Sequence, residues 1–118
     1  MSRFSVSLLE EAVEDVLVGK QFYEENEEGV GAYFAASALA DITSLGIYAG
    51  IHSVHFGYFR LLIKRFPFAV YYRKEQDVVE VIAVLDLRRN PKTLRAILAE
   101  RKSQPDESLN SESLRSSK

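Results

Sequence analysis

Tyr58-Phe59-Arg60-Leu61-Leu62-Ile63-Lys64-Arg65-Phe66, Phe68-Ala69-Val70-Tyr71-Tyr72-Arg73 and Val78-Val79-Glu80-Val81-Ile82-Ala83-Val84-Leu85 are three closely spaced segments rich in aromatic and β-branched residues. Such side chains fit a pleated, half-buried surface, so the run predicts three strands. Pro67 interrupts the first junction, and Lys74-Glu75-Gln76-Asp77 is polar and of hairpin length. Neighbouring strands should therefore pair antiparallel, as a meander. Tyr71, Tyr72, Phe66 and Phe68 are read as core residues within it.

Upstream, Ile51-His52-Ser53-Val54-His55-Phe56-Gly57 mixes polar and apolar residues and is read as a loop or irregular strand. Before it, Ala32, Ala35, Leu39, Ile42, Leu45 and Ile47 offer a helical stripe, with Ala35, Ala36 and Ala38 small enough for close packing. Gly46 and Gly50 weaken the end of that helix. An earlier amphipathic helix is predicted from Leu9, Ala12, Val13, Val16 and Leu17, with Glu10, Glu11, Glu14 and Asp15 largely on the other side. Ser7-Leu8-Leu9-Glu10 reads as its capping box. Glu24-Glu25-Asn26-Glu27-Glu28-Gly29 between the helices clusters like charges beside a glycine, so a solvated turn should fold them into a hairpin. Phe4, Val6 and Leu8 alternate with Ser5 and Ser7, which predicts a short opening strand with one face buried.

Downstream, Asn90-Pro91 is a helix start: Asn can accept an N–H bond as the cap, and Pro needs no donor at the first helical position. Leu94, Ile97 and Leu98 would dock this short helix. From Ser103 to Lys118 the chain is serine-rich, with Leu109 and Leu114 its only large apolar residues. The expectation is a folded domain over residues 1–102 and a mobile tail over 103–118. Its fold class is α+β: an N-terminal strand, a helical hairpin, a three- to four-stranded mostly antiparallel sheet and a short C-terminal helix. The helices should pack on one face of the sheet.

A chain of 118 residues with 47% hydrophobic side chains has room for one core. It contains no cysteine, which excludes disulfides, thiolate metal sites and a cysteine nucleophile and fits a reducing compartment. The N-terminus shows no signal-like apolar run, and no uninterrupted apolar stretch reaches the roughly 20 residues of a membrane span. A cytoplasmic chain without membrane contact is expected. Formal charge is uneven: residues 1–50 carry 2 basic and 9 acidic side chains, and residues 51–102 carry 11 and 5. Arg60, Lys64, Arg65, Arg73, Arg88 and Arg89 fall in or beside the predicted sheet, where part of the set could form a basic face toward a partner's acidic groups or a nucleic-acid backbone. Solvated strand edges are an equal reading of the same residues. His52 and His55 lack convergent co-ligands and are read as exposed loop histidines. Neither a metal nor a cofactor is expected, and no serine carries a nucleophile-elbow motif.

From Phe59-Arg60-Leu61-Leu62-Ile63-Lys64-Arg65-Phe66-Pro67-Phe68-Ala69-Val70-Tyr71-Tyr72, through the polar hairpin, to Val81-Ile82-Ala83-Val84-Leu85-Asp86-Leu87-Arg88-Arg89-Asn90-Pro91, the chain resembles the plasmid-stabilisation branch of the RelE/ParE toxin superfamily. The resemblance spans roughly residues 4–100 in order and spacing. It implies the toxin half of a bacterial type II toxin–antitoxin pair, held by a cognate antitoxin. Two modes of action come with it: ParE-like inhibition of DNA gyrase by binding, and RelE-like cleavage of messenger RNA on the ribosome by basic residues and a tyrosine. The positions of the RelE-type middle-strand arginine and C-terminal tyrosine are occupied here by Ala69 and, approximately, Leu94. Arg88 and Arg89 are the remaining catalytic candidates, so a binding toxin ranks first, a ribonuclease second and a degenerate binding module third. Asp86 stands where many relatives of this branch carry histidine, and it is expected to pair with Arg88.

Overall fold

The computed structural model describes residues 2–101, in which the aromatic-rich segments become strands β3 (Tyr58–Leu62), β4 (Phe68–Glu75) and β5 (Val78–Asp86). Before them come β1 (Ser5–Leu8), α1 (Glu10–Asn26), α2 (Val30–Tyr48) and the two-residue β2 (Val54–His55). Helix α3 follows at residues 91–101. The sheet has five strands in the order β1-β5-β4-β3-β2. β2 through β5 form the expected antiparallel meander, and β1 lies parallel to β5, with Ser5 opposite Val78 and Leu8 opposite Val81.

Side-chain alternation splits the core into two layers. Phe68, Val70, Tyr72, Val79, Val81 and Val84 face the α1–α2 hairpin, where they meet Ala12, Val16, Phe34, Ala38, Ile42 and Leu45. Ala69, Tyr71, Ile82, Ala83 and Leu85 face the other way and are covered by Leu94 and Leu98 of α3. The expectation of helices on one face is therefore corrected: α3 lies opposite the hairpin. Both faces of β4 and β5 are sealed, which is why these strands read as nearly continuous apolar runs. A register shift between Tyr71 and Tyr72 leaves Ile82 as the extra residue of β5, so Ile82 and Ala83 join the same layer.

Local readings need adjustment at several points. Ser7 belongs to β1, so the capping box does not form; α1 starts at Glu10 behind Leu9, which provides no side-chain cap. On α1 the buried positions are Ala12, Val16 and Gly19, while Val13 and Leu17 are exposed. On α2 Phe34, Ala38, Asp41, Ile42 and Leu45 turn inward, and Leu39 and Ile47 turn out. α2 is long and apolar enough to cross a membrane by length and composition; here its inner face packs on the sheet. β3 stops at Leu62, short of Phe66, because the backbone turns through Arg65 at φ 70°.

The helical hairpin is closed by contacts that small residues permit. The position of a Cβ on Gly31 is taken up by the Lys20 carbonyl oxygen, and a Cβ on Gly19 would stand 2.6 Å from the Phe34 ring. Gly29 supplies the left-handed turn at φ 90°. Glu24, expected to be merely solvated, accepts N–H bonds from Gly29 and Gly31, both at 2.9 Å, and so caps α2 from the end of α1. The bond from Gly29 leads the causes that hold its carboxyl below the ordinary glutamate range. Asn90 caps α3 as expected, its Oδ1 accepting the Lys92 N–H at 2.8 Å. The serine-rich segment 103–118 lies outside the described residues.

Candidate functional site

The six cations singled out in the sequence do not converge. Arg60 and Arg73 share the α3 face of the sheet, on adjacent strands. Arg73 is engaged by its cross-strand neighbour Glu80 through Nη2 at 2.7 Å and Nε at 3.0 Å. Arg60 stands opposite Tyr71, whose hydroxyl is pushed up by burial while the Arg60 charge opposes that shift. No hydrogen bond of ordinary geometry joins Arg60 Nε to the buried Tyr71 hydroxyl. Lys64 and Arg65 lie in the turn after β3, on the hairpin side. The Lys64 amide donates to the buried Asp41 carboxylate at 3.0 Å, and Arg65 donates to the Tyr33 hydroxyl at 3.1 Å.

Arg88 and Arg89 follow β5. Arg88 is locked onto Asp86 as expected, Nε to Oδ1 at 2.9 Å and Nη2 to Oδ2 at 2.7 Å, with the Arg88 amide on Oδ1 as well. The side-chain hydrogen bonds from Arg88 lead the causes that draw the Asp86 carboxyl below its ordinary range, and the same pairing raises the Arg88 guanidinium. Ala69 and Leu94 are both buried in the layer between sheet and α3. The two positions that would carry an arginine and a tyrosine in a RelE-like site are therefore part of an apolar seal.

Arg89 borders a groove of about 320 Å3 between α1, the end of β5 and α3, which the sequence did not reveal. Val18, Phe22 and Ile97 wall it, and Phe68, Val84 and Leu85 line its base. Val18 and Phe22 are 55% and 47% exposed. At its closed end Asp15 of α1 accepts both guanidinium nitrogens of Arg101 and the Val84 N–H. Arg101 also donates to the Ile82 carbonyl at 3.2 Å. One carboxylate thus ties α1 to β5 and to the end of α3. Asp15 had been read only as part of a polar helix face; nothing local announced the partner 86 residues away.

His52 is the second residue whose role the sequence missed. Far from a solvated loop histidine, it is half-buried, and its Nδ1 lies 2.6 Å from the Tyr72 hydroxyl, which accepts the Gly50 N–H at 2.9 Å. The hydroxyl proton is then free to go to a neutral Nδ1. Burial lowers the His52 pKa, so the unfolded chain binds the proton more readily. Stability is expected to rise with pH through the window just below the unfolded value of about 6.5, and to level off above it. Urea unfolding at several pH values should show this, with a flatter profile in His52→Gln; an unchanged profile would show that this ring does not set the slope. Among the described residues no group of three or more His, Cys, Asp or Glu side chains is placed to hold a metal ion.

No family model matches the chain, and no curated protein matches it. A solved structure does: a chain from the chromosomal ParDE TA system of P. aeruginosa superposes with a TM-score of 0.65 at 16% sequence identity, covering 72% of this chain and 97% of that one. The β1, helical-hairpin and meander arrangement is thus a known α+β architecture, and the chain shares its fold with a component of a ParDE toxin–antitoxin system.

Proposed function

We propose that this chain is the toxin component of a bacterial type II toxin–antitoxin pair, ParE-like in acting by binding a macromolecular target, and neutralised in the cytoplasm by a cognate antitoxin. DNA gyrase is the target class that the sequence resemblance implies. The observation that carries the reading is the fold shared with the ParDE chain over nearly all of that chain's length. The state of the basic residues favours binding over cleavage. Arg73 and Arg88 are each held by a carboxylate, and the Ala69–Leu94 layer is apolar. Phosphodiester cleavage needs donors aimed together at one developing charge, and these side chains are spread over separate surfaces. The toxin domain would comprise residues 1–102, with 103–118 an appendage to it.

The test is tightly controlled induction in a bacterial host, with plasmid supercoiling and transcript integrity read from the same cultures. Growth arrest with relaxed plasmid and intact transcripts is expected, and an Arg88→Ala/Arg89→Ala variant should leave transcripts equally intact. Arrest with fragmented transcripts that disappears in that variant would replace this reading by a ribosome-dependent endoribonuclease. Soluble expression without arrest would leave a binding module of the same fold.

A further inference from the structure

We propose that the groove at the C-terminal end of α2 binds a small organic acid with an apolar body, an alkyl or aryl carboxylate, whose acid group is held by Arg3 and Lys74. This groove has a volume of about 460 Å3, within the range of small-ligand sites, and shares no lining residue with the one that Arg89 borders. Phe4, half-buried against the main core, carries both cations: the Arg3 guanidinium carbon stands 5.6 Å and the Lys74 Nζ 5.2 Å from its ring centroid. Ile47, Tyr48 and Ile51 supply the apolar wall, and all three are exposed, Ile51 at 73%.

Three parts of the chain meet here. α2 ends at Tyr48, and the backbone leaves it through Gly50 at φ 99°, with the Gly50 N–H on the Tyr72 hydroxyl at 2.9 Å. The segment before β1 crosses the helix end, the Arg3 and Phe4 N–H groups both donating to the Gly46 carbonyl, at 2.7 and 2.9 Å. On β4, alternation puts Lys74 on the hairpin face with Tyr72 and turns Glu75 to the other face. A Cβ on Gly50 would stand 3.3 Å from the Lys74 Cδ, so the lysine stem lies against the turn that ends the helix.

Support of the helix end is too small a duty for both cations. The negative end of α2 amounts to roughly half an elementary charge, which a single cation more than offsets. Neither is needed there as a hydrogen-bond donor, because the carbonyls of Leu45, Gly46 and Tyr48 already accept N–H groups. The ion pairs among the described residues use Lys64, Arg73, Arg88 and Arg101, and neither Arg3 nor Lys74. Asp77, in the turn after β4, does not line the groove. Two like charges over one ring, beside exposed apolar side chains, are therefore complementary to an anion with an apolar body. A neutral molecule would leave their repulsion in place, and a cation would add to it. The site rests on local geometry and is independent of whether the chain acts as a toxin.

The test titrates the isotope-labelled full chain with sodium octanoate and, separately, with the neutral octanamide, following the chain's amide resonances. Saturable shifts at Phe4, Tyr48, Ile51 and Lys74 are expected. Affinity for octanoate should fall about threefold in Arg3→Gln and again in Lys74→Gln, the scale of a partly exposed ion pair, while octanamide binding stays as it was. Octanoate should accordingly bind about tenfold more tightly than octanamide to the unaltered chain. Hexanoate should bind about fourfold more weakly than octanoate, the effect of two methylenes each half-buried in an open groove. Equal affinity for octanoate and octanamide, shifts confined to another surface, or no saturation in the millimolar range would overturn the proposal. So would groove shifts that follow the concentration of the chain alone, since the occupant would then be a second copy. Sedimentation with phosphatidylglycerol vesicles that octanoate does not displace would overturn it too, because the patch would then be a membrane contact.

Discussion

Asp15→Ala is expected to lower the unfolding free energy by about 3–5 kcal/mol, the range for removing one partner of a buried charge pair. Asp15 and Arg101 are only 13% and 15% exposed, so solvent screens little of what is lost. The substitution leaves the Arg101 guanidinium with the Ile82 carbonyl as its remaining acceptor, and the Val84 N–H without its acceptor. It also unties three elements at once, since the carboxylate is the point where α1, β5 and the end of α3 meet. Urea unfolding measures the loss, and hydrogen exchange locates it: residues 91–101 should lose protection first. A double variant, Asp15→Leu/Arg101→Met, should recover most of the stability, because an apolar pair needs no compensation for desolvated charge. A loss under about 1 kcal/mol in Asp15→Ala would mean that the pair behaves as a surface bridge and that Leu94 and Leu98 alone dock α3.

Phe34→Ala should be comparably severe, at about 3–5 kcal/mol, for a different reason: it empties a site that cannot close. Phe34 is fully buried, with ring centroids 4.7 Å from Phe68, 5.1 Å from Phe66 and 5.3 Å from Tyr23. It also rests on Gly19, where α1 has no side chain to fill the space. The aromatic set joins both hairpin helices to the turn after β3, so its loss should loosen the Arg65–Tyr33 contact as well. Thermal unfolding of Phe34→Ala and Phe34→Leu would separate cavity from shape: leucine should restore more than half of the difference. Equal losses in the two variants would show that the aromatic geometry, and not the filled volume, is what matters.

Legibility followed the range of the physics involved. The three strands, the polar hairpin, both long helices and the Asn90 cap were readable because each is set by neighbours within a few residues. The Asp86–Arg88 pair was readable for the same reason, being two positions apart. What escaped depended on distant partners. Val13 and Leu17 fit a helical stripe as well as Gly19 does not, yet Gly19 is buried because Phe34 stacks over it. Periodicity identifies an apolar side but not which of its members meets a large partner across the hairpin. The position of α3 opposite the hairpin could have been inferred from the apolar character of both faces of β4, since Ala69 and Tyr71 need a cover as much as Val70 and Tyr72 do. The groove, and Asp15 at its closed end, could not: both exist only once β1 stops at Leu8 and β5 continues.

The placement of β5 at the centre of these relationships has a consequence for how the chain comes to be folded at all. β1 is made before the other described elements, yet its strand partner among the described residues begins 73 residues after Ser5, at Val78, and β4 also pairs with that strand. Closing so long a loop carries an entropic cost that local pairing avoids, which places this topology among the slower-folding ones. During synthesis the helical hairpin can form early, but its apolar underside has no finished sheet to rest on until residue 86 has left the ribosome. Products of interrupted translation that stop short of Val78 therefore cannot assemble the sheet, and any activity that needs the folded sheet arrives only once β5 has been made.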